Sequence, residues 1–162
     1  MKLSIALLVI LVSSCASSRE AGTIKTRRGH SIAFDGTWYA VVDVSYEEAW
    51  NRVLRTLEWH EWPVERQVEE SGTITTATVN VGVYRDKYAC QKWANVVALR
   101  CQLTVHVAPV SENQMRIQVT TRLEGKVFYP RAGGFTEREV WRVCESTGTI
   151  ESEFFDTFLT RL

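Results

Sequence analysis

Two stretches of alternating apolar and polar residues constrain the fold of this chain most. The apolar members of the first stretch, within 96–107, are Val97, Leu99, Cys101, Leu103, Val105 and Val107. Those of the second are Met115, Ile117, Val119 and Leu123. A period of two is typical of β-strands, and one apolar face per strand indicates an antiparallel sheet covered on one side only. Because a short turn-forming segment, 111–113, lies between them, the stretches predict two adjacent antiparallel strands.

Two segments with apolar residues at helical spacing predict the elements that cover this apolar face. Ser45 and Glu48 form a capping box, which predicts a helix that runs to about Trp59. Its apolar residues are Tyr46, Ala49, Trp50, Val53, Leu54 and Leu57. Near the C-terminus, Ser146 and Thr147 are candidate caps of a last helix. The apolar residues of that helix are Ile150, Phe154, Phe155, Phe158, Leu159 and Leu162.

Shorter patterns complete the predicted fold. Thr37–Val44 is rich in aromatic and β-branched residues and predicts a strand, while Val64–Glu69 and Thr73–Val81 predict a hairpin. Lys126–Arg142 contains glycines and lacks a regular period, so we expect a long irregular connection there. The sequence therefore predicts a two-layer α+β domain. Its antiparallel sheet has about five strands with two helices on one face, in the order β-α-β-β-β-β-α.

The N-terminal residues have the features of an export signal that ends at a lipidation site. The apolar run Leu3–Val12 follows a basic residue and is too short to span a bilayer, which takes about 20 residues. The step Val12–Cys15 resembles the lipobox of bacterial lipoproteins. That resemblance implies a signal peptide over 1–14 and acylation of Cys15. With Ala16 next, it also implies anchoring in the outer membrane on the periplasmic side. A plain secretion signal with an incidental cysteine is the alternative.

The remaining chain divides into a predicted tether and a predicted domain. Residues 15–36 are rich in Ser, Gly, Thr and Arg without an apolar period, which indicates a lipidated cysteine followed by a flexible tether. All the apolar stripes lie within 37–162, so we expect a single domain that folds without the tether. The chain has 19 Lys and Arg against 19 Asp and Glu, a net charge of zero that argues against a nucleic-acid partner. Membrane contact is expected through the lipid at Cys15.

The pattern over about 37–162 resembles one group of envelope modules. A helix entered through a capping box, a hairpin with Gly72, Ile74 and Thr76, and two long strands follow one another. This order resembles the helix-grip modules of the lipoprotein subunit of the outer-membrane β-barrel assembly machinery. The segment Cys144–Glu151 is similar to a signature of small lipoproteins of this general type. The resemblance implies a helix-grip-like fold and a role in the bacterial cell envelope.

Three cysteines follow Cys15. An oxidising compartment favours one disulfide and one free thiol among Cys90, Cys101 and Cys144. Cys101 falls on the apolar side of a predicted strand, where a free cysteine behaves as a small hydrophobic residue. We therefore predict a Cys90–Cys144 bridge, with Cys90–Cys101 as the alternative.

No pattern in the sequence supports catalysis. The histidines His30, His60 and His106 have no motif context with a cysteine or serine, and metal, nucleotide and hydrolase motifs do not occur. We therefore predict a protein without catalytic residues, metal or cofactor. Trp59, His60 and Trp62 form a candidate interaction patch, since Trp is enriched at interface hot spots. The alternative is a helix end with two core or rim aromatics.

Two functional hypotheses follow from these patterns. In the first, the chain is a non-catalytic lipoprotein that binds an envelope protein through a sheet edge or through 126–142, as an interaction or accessory module. In the second, it is a periplasm-facing binding module for an apolar ligand or lipid, held between sheet and helix. The second hypothesis requires a cavity. The bulky residues expected on that side favour a packed core, and hence the first hypothesis: Trp38, Trp50, Met115, Phe154 and Phe158.

Overall fold

The computed structural model describes residues 22–26, 28–81, 96–129 and 138–160. Two helices are present in this part of the chain, α1 (Tyr46–Trp59) and α2 (Thr149–Thr160). The strands are β1 (Gly22–Lys25), β2 (Ser31–Phe34), β3 (Trp38–Val42), β4 (Val64–Val68), β5 (Thr73–Thr76), β6 (Val79–Asn80), β7 (Val96–Ser111), β8 (Gln114–Tyr129) and β9 (Arg138–Cys144). A short 3-10 turn, Glu69–Ser71, joins β4 to β5.

The two alternating stretches form the centre of the sheet. β7 and β8 have 16 residues each and pair antiparallel, with Cys101 opposite Leu123 and Val105 opposite Val119. The strand order is β1-β2-β3-β8-β7-β5-β4, while β6 pairs with β7 and β9 pairs with β8. The predicted α+β class with an antiparallel sheet and two helices is confirmed. The expected five strands were too few, because the described residues form nine.

Two of the additional strands lie in the predicted tether, which corrects the N-terminal boundary of the domain. β1 pairs with β2, and β2 pairs with β3. Ile32 is only 1 % exposed, and the backbone N–H of Arg28 donates to Asp156 on α2 at 3.1 Å. The described residues between 22 and 36 therefore belong to the domain rather than to a flexible linker. Cys15 and the predicted signal peptide 1–14 lie outside the described residues.

A second correction concerns the segment predicted to be irregular. Its first residues, Lys126–Tyr129, continue β8, and its last ones form most of β9. The register places Lys126 opposite Trp141 and Val127 opposite Val140. The described parts of this segment therefore form an antiparallel strand pair, and residues 130–137 lie outside the described residues.

Both helices pack on the apolar face of the sheet. The α1 helix begins as the capping box predicts, since Ser45 Oγ accepts a hydrogen bond from the backbone N–H of Glu48 at 3.2 Å. At the start of β7 a register shift exposes Val97 and buries Val96, the reverse of the predicted alternation. The side chains that fill the space between sheet and helices are buried: Trp38, Trp50, Val53, Leu57, Leu103, Ile117, Phe154, Phe155 and Phe158.

Candidate functional site

The side of β7, β8 and β9 that points away from the helices, together with β3, forms what we call the polar face. It arises because polar residues alternate with the buried ones along β7 and β8. The polar-face residues whose side chains form hydrogen bonds, ion pairs or cation–π contacts are Tyr39, Arg100, Gln102, Arg116, Gln118, Arg122, Glu124, Lys126 and Trp141. This face therefore carries charged, amide and aromatic side chains that contact one another or neighbouring strands.

A cluster of two arginines around one glutamate, which we call the arginine cluster, lies at its centre. Arg100 stands directly opposite Glu124 in the register, and Arg122 lies two residues earlier on the same strand. Nε and Nη2 of Arg100 each lie 2.7 Å from Glu124 Oε2. Nε and Nη2 of Arg122 donate to Oε1 at 3.1 and 2.9 Å. One carboxylate thus holds two guanidinium groups in fixed positions.

The cluster carries a net positive charge. The hydrogen bond from Arg100 lowers the pKa of the Glu124 carboxyl below its usual value, and Arg122 acts in the same direction. Glu124 is therefore ionised at neutral pH, and two positive charges face one negative charge. The neighbouring ion pair between Lys126 and Glu139 adds no net charge.

An aromatic ring and a shallow depression complete the site. The guanidinium carbon of Arg100 lies 4.1 Å from the centre of the Trp141 ring, which is a cation–π arrangement. Beside it is a depression of about 180 Å³. Its lining residues are Thr78, Arg100, Gln102, Arg122 and Glu124. The arginine cluster is thus accessible from one side, and the Arg122 side chain is 66 % exposed.

A similar arrangement occurs on the other half of the polar face. Arg116 forms an ion pair with Asp35, and its guanidinium carbon lies 3.9 Å from the centre of the Tyr39 ring. The hydrogen bond from Arg116 lowers the pKa of Asp35. Here one arginine meets one carboxylate, so this second pair carries no excess charge.

The three residues of the predicted patch, Trp59, His60 and Trp62, differ in exposure and in their contacts. Trp59 is 59 % exposed at the end of α1. The His60 and Trp62 rings stack with their centroids 4.6 Å apart, and His60 Nε2 lies 2.9 Å from Thr157 Oγ1 on α2. His60 thus links the end of α1 to α2, Trp62 packs on His60 and against the core, and Trp59 is the exposed member.

Cys144 is disulfide-bonded, whereas Cys101 is a buried free thiol. Burial raises the pKa of Cys101 to about 12, with a smaller contribution from the charge of Glu151. Leu123 on β8 pairs in register with Cys101 on β7 and with Cys144 on β9. Two strand spacings of about 4.8 Å put the Cα atoms of the two cysteines roughly 9.6 Å apart, beyond the roughly 7 Å that a disulfide spans.

The predicted partner, Cys90, lies outside the described residues, so the Cys90–Cys144 pairing stays a prediction. The alternative pairing of Cys90 with Cys101 is inconsistent with the free Cys101 thiol.

Each of the three histidines contacts a threonine hydroxyl, and His30 and His60 both contact α2. His30 Nε2 lies 3.4 Å from Thr160 Oγ1, and His106 Nδ1 lies 3.4 Å from Thr73 Oγ1. Within the described ranges no three His, Cys, Asp or Glu side chains are placed to hold a metal ion. In the same part of the chain, neither helix is long and apolar enough to cross a membrane.

The sequence patterns did not identify the arginine cluster. Alternation placed Arg100 and Arg122 on the polar side of their strands, but Trp141 fell in the segment predicted to be irregular. A scan against protein-family models finds no match to this chain. A comparison with curated proteins finds no similar sequence either.

Proposed function

We propose that this protein is a non-catalytic lipoprotein of the bacterial cell envelope whose domain binds another envelope protein. The lipobox-like step Val12–Cys15 supports a lipid anchor at Cys15 in the outer membrane, facing the periplasm. The arginine cluster and Trp141 support protein recognition, because Arg and Trp are the residues most enriched at interface hot spots.

One observation favours this function over the binding of an apolar ligand. In a helix-grip-like fold such a ligand would lie between the sheet and the helices. That space is filled by large side chains, with Trp38 only 9 % exposed and Phe154 and Phe158 essentially inaccessible. A depression of about 180 Å³ lies on the opposite side of the sheet and is lined by charged and polar groups.

The short segment between Cys15 and β1 limits which partners the domain can reach. With β1 beginning at Gly22, six residues separate the domain from Cys15. Even fully extended, the seven Cα–Cα steps from Cys15 to Gly22 reach only about 25 Å. A lipid on Cys15 would hold the domain close to the bilayer, so the partner is a membrane protein or one whose periplasmic part lies near the membrane.

Site-specific photo-crosslinking in cells tests this function. Thr120 is exposed on the polar face, and Asn51 is exposed on α1. We expect a photo-reactive residue at position 120 to give a discrete crosslinked protein and the same residue at position 51 to give none. Equal patterns at both positions would refute a partner on this face. A lipid-sized mass that stays bound in native mass spectrometry of the purified protein would favour the apolar-ligand alternative instead.

A further inference from the structure

We propose that the arginine cluster binds a carboxylate of the partner, supplied by an acidic segment of that protein. The inference rests on the proposed function and specifies its chemistry. A guanidinium has five N–H donors. Arg100 and Arg122 each direct two nitrogens at Glu124, so each retains N–H groups that have no acceptor among the described residues.

The charge of the cluster matches one carboxylate. Two guanidinium groups and the ionised Glu124 leave one positive charge, and a single carboxylate neutralises it. The planar fork of a guanidinium also fits the two oxygens of a carboxylate, which gives stronger hydrogen bonds than a neutral acceptor does. The pair of Arg116 and Asp35 lacks this excess charge and serves as an internal comparison.

The donors are held in place before the partner arrives. Glu124 fixes both guanidinium groups by hydrogen bonds, and the Trp141 ring covers one face of Arg100. Groups that are already ordered lose less conformational entropy on binding. The depression of about 180 Å³ next to them gives a side chain room to enter.

An acidic protein segment fits the surroundings better than a lipid headgroup does. Val143 stands opposite Glu124 in the register and is 67 % exposed, so an apolar side chain lies directly beside the cluster. Together with Trp141, it gives a mixed apolar and cationic surface. A peptide that carries acidic and apolar residues can contact both parts at once.

The test uses the mature lipidated protein in detergent micelles, with ¹⁵N-labelled arginine. The first probe is the peptide acetyl-Val-Glu-Val-Glu-Val-amide, and its Gln counterpart is the neutral control. We expect the Nε–H signals of Arg100 and Arg122 to shift on titration with the acidic peptide and to stay in place with the neutral one. Vesicles of phosphatidylglycerol are the second probe. Arginine shifts caused by vesicles and not by the acidic peptide would overturn the proposal in favour of a lipid.

Matched variants separate a specific site from general charge attraction. Arg122→Gln removes one exposed arm of the cluster, and Arg55→Gln removes an exposed charge on α1 whose described contact is the Asn51 carbonyl. We expect Arg122→Gln to weaken peptide binding about tenfold, the loss of one charge-assisted pair, and Arg55→Gln to leave it unchanged. Equal weakening by the two variants, or no shift with either probe, would overturn the proposal.

The crosslink at position 120 then distinguishes a failure of the carboxylate proposal from a failure of the proposed protein binding. If it persists in Arg122→Gln while the peptide causes no arginine shift, the carboxylate proposal fails and protein binding on this face stands. If the crosslink is absent from the start, the proposed function itself fails.

Discussion

Substitution of Gly148 tests how the start of α2 packs against the sheet. Gly148 directly precedes α2 and has a φ of +88°, a backbone conformation that L side chains rarely adopt. A Cβ at this position would lie 2.6 Å from Cζ2 and 2.9 Å from Cε2 of Trp38. The indole has little room to retreat, because it is buried and its ring centre lies 4.8 Å from that of Phe34.

The expected cost of Gly148→Ala is the sum of two effects. A left-handed backbone costs a residue with a Cβ about 1–2 kcal/mol. Forcing extra volume into a packed region adds roughly 1–3 kcal/mol. We therefore expect a loss of about 2–5 kcal/mol in the free energy of unfolding, a large part of the 5–15 kcal/mol typical of a domain. Urea unfolding of the mature protein, followed by far-UV circular dichroism, measures it.

Gly29→Ala is the matched control. Gly29 has a φ of +86°, and nothing lies within 4 Å of the position that its Cβ would take. It should lose only the backbone term, about 1–2 kcal/mol. The difference between the two variants is then the cost of displacing Trp38. Equal losses would refute the proposed contact between the Gly148 turn and the indole.

Three further predictions concern the anchor, the cysteines and pH. Cys15→Ser should abolish labelling by a palmitate analogue, and a persisting label would contradict lipidation there. Peptide mapping without reduction should recover Cys144 joined to Cys90, a bridge that closes about 55 residues and contributes about 4 kcal/mol in the chain-entropy model; a different partner would contradict the pairing. In the native protein Cys101 should resist alkylation, because the thiol is buried and its pKa is raised to about 12. Alkylation of Cys101 in the native protein as fast as in the urea-unfolded protein would refute this. The pKa of Glu124 is lowered from 4.5 in the folded state. The ion pairs of Glu124 therefore stabilise the fold fully above pH 4.5, and this stabilisation is lost as the pH falls through the folded-state pKa. Glu124→Gln should therefore cost up to about 1 kcal/mol at pH 7 and progressively less as the pH falls below 4.5, and a cost that does not change with pH would contradict the reasoning.

The long elements could be predicted because each repeats its signal many times. β7 and β8 alternate over most of 16 residues, and α1 combines a helical apolar stripe with the Ser45 cap. Each repetition adds independent support for one period, and the structure confirms these elements. The exception at Val97 arises where a register shift interrupts the ladder, which a period alone does not reveal.

The short strands at the N-terminus could not be recognised in this way. β1 and β2 have four residues each, and Ile32 is the one fully buried side chain of β2. Four residues with one buried position do not establish a period. What holds this segment is tertiary: pairing with β3 and the hydrogen bond from the Arg28 amide to Asp156, 128 residues away in the sequence.

The arginine cluster was hidden for a related reason. Alternation assigns a residue to a face, but contact across strands depends on the register. Arg100 meets Glu124 because β7 and β8 pair with those residues opposite each other, and a shift of one residue would move one of them to the core side. Trp141 reaches Arg100 from β9, across the intervening strand. The individual strands thus determine which side chains are polar and outward, whereas the pairing of three strands creates a site with a defined charge and shape.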